Sequence, residues 1–110
     1  MSELAKKQCV PCAGGVPPLS PDQTDPLLAE LDGWVIETPP RIARQFKFPD
    51  FAKALAFVNR IGAIAENENH HPDIKLTWGK VGVEIWTHKI GGLTESDFIL
   101  AAKFDEAYQT

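Results

Sequence analysis

Apolar and polar residues alternate along the chain with a period that changes from one stretch to the next. Ile42, Arg44, Phe46 and Phe48 interleave with Ala43, Gln45 and Lys47. A period of two predicts a strand with one buried face, on which Arg44 is the imperfect member. From Phe51 the spacing changes. Phe51, Ala54, Leu55, Val58, Ile61 and Ala65 recur at three- and four-residue steps, the apolar stripe of a helix that Asp50 can cap. That helix runs out in Glu66-Asn67-Glu68-Asn69.

The period returns to two at Ile74, Leu76 and Trp78, and again at Val81, Val83 and Ile85. Gly79-Lys80 between the two runs predicts a tight hairpin. On its second strand Glu84, Trp86 and His88 point away from Val83 and Ile85. A last helix starts after Thr94, with Thr94 and Asp97 as a capping box and Leu93 with Phe98 at staple spacing. Upstream, residues 34–37 read as a short strand interrupted by Pro39-Pro40. Two helix starts compete before it, Ser20-Pro21 and Asp25-Pro26. Proline is disfavoured inside a helix, so the helix is expected over residues 26–31, ended by Gly33, with the earlier start a separate turn. Residues 8–20, with Cys9, Cys12, Gly14-Gly15 and prolines 11, 17 and 18, predict an irregular arm that lies on the surface or stays mobile. The order helix, two strands, helix, hairpin, helix is that of an α+β domain with an antiparallel sheet covered on one face. The expected division is an arm over 1–20 and one domain over 21–110.

Composition narrows the function classes. The chain has 110 residues, 44% hydrophobic and 24% charged, with a formal net charge of −4. A domain of this size buries roughly two-thirds of its unfolded surface, so it needs neither disulfide nor metal to hold a core. The negative balance argues against nucleic acid and anionic lipid as partners. No apolar run approaches the ~20 residues of a membrane span, and the N-terminus lacks a secretory signal pattern. With two cysteines and no such signal, a disulfide scaffold is not expected, and the expected location is the cytoplasm.

Three histidines are the candidate chemistry: His70, His71 and His88. The residue before a proline is pushed out of the helical region, so His71 is expected to be extended, where the long helix stops and the hairpin begins. His88 lies at a strand end on the less apolar face, with Trp86, whose indole could stack on a flat heterocycle. Imidazole can both give and take protons near neutral pH. Three histidines could instead hold zinc with an open position, although the helical His-Glu-x-x-His pattern is absent. Histidines at element ends also serve as caps, and Asp97 is explained by its helix start alone. Glu66 sits at a helix C-terminus, where the macrodipole disfavours its charge. Cys9-x-x-Cys12 is half of a zinc knuckle or a redox pair without its second half.

Taken together, Glu66-x3-His70-His71-Pro72-x5-Trp78-x9-His88-x8-Asp97 resembles the signature of the pterin-4a-carbinolamine dehydratases. The similarity extends through Gly33-Trp34, Gln45-Phe46-x-Phe48-x-Asp50-Phe51 and Gly92-Leu93-Thr94-Glu95-x-Asp97, and leaves the arm outside. The resemblance implies a four-stranded antiparallel sheet with helices on one face, in the order α-β-β-α-β-β-α. It implies subunits that pair into homodimers or homotetramers. It also implies dehydration of a 4a-hydroxytetrahydropterin to quinonoid dihydropterin, in support of aromatic amino acid hydroxylases. His70, His71, His88 and Asp97 fall on catalytic positions, and Glu66, Pro72, Trp86 and Thr87 on expected substrate-binding positions. Pterin is the substrate, and no cofactor or metal is expected. The competing reading is an interaction module, since some relatives bind macromolecules.

Overall fold

A computed structural model describes residues 4–9, 17–38 and 40–109. A single 3-10 turn (Leu4–Lys6) precedes α1 (Pro21–Leu28), β1 (Val35–Glu37), β2 (Arg41–Lys47), α2 (Phe51–Glu68), β3 (Asp73–Thr77), β4 (Lys80–Ile85) and α3 (Glu95–Gln109). The four strands form one antiparallel sheet in the order β1-β2-β4-β3. This is the expected α+β architecture. Among the described residues no helix is long and apolar enough to cross a membrane.

Register explains the two faces. Ile42 pairs with Ile85, and Phe46 pairs with Val81. These four and Val83 are buried under the helices. Ala43, Gln45, Gly82 and Glu84 alternate onto the opposite face, where a concavity of about 570 Å³ opens. On the core side α2 contributes Ala54, Phe57, Ile61 and Ala65. The chain offers two interleaved stripes at helical spacing, and periodicity alone cannot choose between them. Packing selects Phe57, while Phe51 and Leu55 from the expected stripe stay exposed.

Two other expectations are corrected. The first helix begins at Pro21 and runs through Pro26, so the helix expected over residues 26–31 is displaced upstream. Its start is fixed by the Ser20 N–H, which donates to Gln23 Oε1 at 2.9 Å. Pro21 occupies a first-turn position that needs no N–H. Pro26 removes only the bond to the carbonyl four residues back, on an exposed turn where water can take its place. The hairpin loop is Trp78-Gly79, one residue earlier than expected, because Thr77 pairs with Lys80.

Helix α3 is buried continuously from Ser96 to Ala102. A helix covered all round needs neighbours on every side. Here α2 and the sheet cover part of it, and Leu4 and Ala5 are buried in the same core. Leu4 and Ala5 are therefore packed into the fold. Much of the expected arm, residues 10–16, lies outside the described residues.

At the far end of α3 a buried knot explains Arg44. Asp105 Oδ1 accepts from Arg44 Nη1 at 2.7 Å and from Trp34 Nε1 at 2.8 Å. Asp105 Oδ2 accepts from the Asp32 N–H at 3.2 Å. The guanidinium also lies over the Phe46 ring at 4.4 Å. Burial pushes the Asp105 carboxyl up, against the opposing pull of these donors. Such a pair adds little net stability, yet removing one partner leaves the other charge stranded. Asp105→Ala should cost about 3–5 kcal/mol in urea unfolding. A loss below about 1 kcal/mol would show that the knot is dispensable.

Candidate active site

Helix α2 ends in a way that aims its successor. Asn69 takes the left-handed conformation (φ 54°). Its N–H donates to Glu66 O, and the His70 N–H donates to Ala65 O, both at 3.2 Å. This paired closure makes His70 the residue that seals the helix end. Pro72 two positions on prevents helix continuation, and the chain enters β3. Asp73 then pairs with Glu84 on β4. Extending that register outward brings residue 70 opposite residue 87, just past the end of β4.

The two meet at Asp97. His70 Nε2 lies 2.6 Å from Asp97 Oδ1. The Thr87 hydroxyl donates to the same carboxylate, at 3.1 Å to Oδ1 and 3.0 Å to Oδ2. The Thr94 N–H donates to Oδ2 at 2.8 Å, the expected capping contact. Thr87 has one proton, spent on Asp97, so at the 3.0 Å contact between the hydroxyls Thr94 is the donor. Asp97 is wholly buried, and the His70 side chain nearly so. A carboxylate accepts but has no proton to give, so His70 Nε2 carries the hydrogen and Nδ1 remains for other chemistry.

The other two histidines are exposed. His71 Nε2 lies 2.9 Å from Glu66 Oε1, in a solvent-facing pair one helix turn from the buried one. His88 opens the turn after β4, which the Thr87 N–H closes onto Gly92 O at 2.9 Å. Gly91 stands in that turn at φ 68°, a conformation that disfavours side chains. The His88 and Trp86 rings are 4.4 Å apart, and the Arg41 guanidinium lies 5.2 Å over the Trp86 ring.

The structure thus brings His70, Asp97, Thr87 and Thr94 into one network, with His88 adjoining through Thr87. His71 pairs with Glu66 beside it. Thr87 is buried with its hydroxyl turned to Asp97, and Pro72 is half-buried. The concavity of the open sheet face contains none of the histidines; Gln45, Lys75 and Glu84 are among its lining residues. Residue types did not reveal the Thr94–Thr87–Asp97 chain, although a threonine flanking His88 and another at the helix start were the available signal. Among the described residues no group of three or more His, Cys, Asp or Glu side chains is arranged to hold a metal ion.

Comparison with known proteins agrees with the spacing of these residues. The family model described as pterin 4 alpha carbinolamine dehydratase matches residues 17–107. A protein of Rubrobacter xylanophilus provisionally named pterin-4-alpha-carbinolamine dehydratase is 53% identical over 105 residues, 96% of this chain and 98% of its own. A Rickettsia canadensis protein of the same provisional name is 55% identical over 106 residues, 96% of this chain and 97% of its own. Both alignments are long enough to take in most of the arm. Among solved structures, the transcriptional coactivator/pterin dehydratase from Brucella melitensis superposes with a TM-score of 0.78. It is 33% identical and covers 82% of this chain and 97% of its own. The chain belongs to the pterin-4a-carbinolamine dehydratase family, a family of hydro-lyases.

Cys9 is not part of this network, but it is near. Its N–H donates to Glu68 Oε1 at 2.8 Å, and its thiol contacts Ser96 O at 3.5 Å. Burial, reinforced by the Glu68 charge, pushes the thiol up to about 12. A thiol held in its protonated form suits neither nucleophile nor metal ligand. Cys12 lies outside the described residues. At pH 8 the raised value leaves about 10³-fold less thiolate than the ordinary value of 9.0 would. Iodoacetamide labelling of Cys9, read by peptide mass, should be slower by about that factor in native protein than in urea. Comparable rates would contradict the buried, protonated thiol.

Proposed function

We propose that this chain, as a member of that family, dehydrates 4a-hydroxytetrahydropterin to quinonoid dihydropterin by imidazole acid–base catalysis. The observation that carries the reading is the buried Asp97 carboxylate fixed on His70 Nε2 at 2.6 Å, with Nδ1 left to act. Eliminating water from the carbinolamine breaks the C4a–O bond and forms the C4a=N5 double bond. The N5 proton goes to a base, and a proton from an acid leaves with the hydroxyl as water. Acid and base must therefore address neighbouring atoms of one flat ring.

In this reading His88 takes the N5 proton, and His70 and His71 supply the proton to the departing hydroxyl. Asp97 holds the His70 ring in one tautomer, and an imidazolium formed there has a counter-charge beside it. Thr87 and Thr94 act through Asp97 by fixing both its oxygens. Glu66 orients His71 in the same manner from an exposed position, where an ion pair contributes little. Trp86, half-buried beside His88, offers a π-face to the pterin, and Pro72 directs the chain that carries His70 and His71 out of α2. The product is what a reductase returns to the cofactor of an aromatic amino acid hydroxylase, so the biological setting is recycling of that cofactor. A homo-oligomeric assembly belongs to the same reading.

The test is turnover of synthetic 4a-hydroxytetrahydropterin, followed by ultraviolet absorbance, after single alanine substitutions. A positioned proton transfer contributes typically about 10²–10⁴-fold. His70→Ala and His88→Ala should therefore each lower kcat by about 10²-fold or more, with His71→Ala smaller because its partner is solvent-exposed. Asp97→Asn, which keeps the shape and removes the charge, should also lower kcat. Near-unchanged rates in all three histidine variants would reject the reading.

A further inference from the structure

The two halves of the His70–Asp97 pair sit on different elements. His70 seals the C-terminus of α2, and Asp97 lies in the first turn of α3. Their 2.6 Å contact therefore depends on how those two helix ends are held relative to each other. Thr87 approaches from just beyond β4, and His70 itself contributes. The remaining side of the junction is covered by the N-terminal segment.

That segment bonds to both helix ends at once. The Cys9 N–H reaches Glu68, the last residue of α2, at 2.8 Å, and the Cys9 thiol reaches Ser96 O, the carbonyl next to Asp97, at 3.5 Å. Lys103 Nζ, one to two turns along α3, donates to Ala5 O at 2.9 Å and lies 3.8 Å from Glu68 Oε2. Lys7 Nζ pairs with Glu95 at 3.0 Å. The Glu68 side chain is only 9% exposed, so it is a buried acceptor shared by the segment and α3. Further along, the Leu19 N–H donates to Leu93 O at 2.8 Å, just before the α3 start. There the chain passes so close that a Cβ added at Gly92 would lie 2.6 Å from Pro18 Cβ. Residues on either side of 10–16 thus engage the α3 N-terminus from two directions.

We infer that the N-terminal segment is a positioning clasp. Through Cys9 and Glu68 it locks the end of α2 to the start of α3 and so sets the His70–Asp97 geometry. Glu68 and the Cys9 backbone are positioning residues: neither touches the reacting atoms. The inference rests on the catalytic reading of that pair, but the clasp itself is a structural statement that can be read without turnover. It also gives the Cys9 end of the Cys-x-x-Cys motif a place in the molecule that needs no metal.

The experiment uses the full-length protein in three variants. Cys9→Pro deletes both the N–H that reaches Glu68 and the thiol that reaches Ser96 O, while leaving every residue of the two helices unchanged. Glu68→Ala removes the shared acceptor, and Glu68→Gln keeps an acceptor oxygen for Cys9. The direct readout is the His70 Nε2–H proton by NMR, whose exchange with solvent reports how firmly Asp97 holds it. Core amides of α2 serve as the control for a merely loosened fold. In Cys9→Pro and Glu68→Ala the His70 proton should exchange about tenfold faster, with the core amides unchanged. Glu68→Gln should stay near wild type. The kinetic counterpart is a fall in kcat of about three- to tenfold with KM unchanged. Exchange within about twofold of wild type in both folded variants would overturn the clasp. Absence of pterin turnover in the wild type would overturn the function instead and leave the exchange result to decide the clasp.

Discussion

A wholly buried carboxylate, Asp97, imposes the constraint from which the site follows. Charge taken out of water costs several kcal/mol unless donors surround it. The side chain of Asp97 meets the Thr94 N–H from its own helix start, the Thr87 hydroxyl from the end of β4, and His70 Nε2 from the end of α2. Three elements must therefore arrive at one point. The same bonds that stabilise the carboxylate choose the tautomer of the histidine and fix the strand end from which His88 projects. The geometry of the His70–Asp97 pair and the satisfaction of a buried charge are one physical event.

The rest of the fold can be read as what keeps that meeting point in register. The β3–β4 pairing begins at Asp73 and Glu84, and that register extended outward points residue 70 toward residue 87. The left-handed Asn69 turns the chain out of α2 at the one place where His70 can close the helix and face α3. At the other end of α3 the Asp105 knot ties that helix to Trp34 and to Arg44 on β2. A helix carrying a buried carboxylate near each end, each bonded to a different region of the chain, has little freedom to slide. The N-terminal segment covers the side that sheet and α2 leave open.

Much of this was legible in the residues, and the exceptions share a cause. A capping box and staple marked α3. Alternation marked β2, β3 and β4 and helical spacing marked α2, because burial of one face imposes its period on the sequence. They could not choose between the stripes on either side of Phe57, since both are apolar. Arg44 looked like a flaw in its strand until Asp105 supplied the partner, sixty-one positions away. Ser20-Pro21 lost to Asp25-Pro26 because the penalty for an interior proline is larger in a long helix than in the exposed second turn of a short one. Asp97 was visible both as a capping residue and through the family spacing, and its side chain makes the capping contact to the Thr94 N–H while also meeting His70. Thr87 was expected to bind substrate, and its hydroxyl is instead turned to Asp97, while the contacts of Glu68 come from partners that no local pattern reveals.

The most direct measurement of the central claim is a crystal structure with an unreactive pterin, such as 7,8-dihydrobiopterin, bound to the protein. The account predicts the bicyclic ring beside Trp86, with its N5 and C4a edge within about 3.2 Å of the His70 Nδ1 and His88 ring atoms. A ring seated instead in the open sheet concavity beside Gln45 and Lys75, with His70 and His88 untouched, would contradict it.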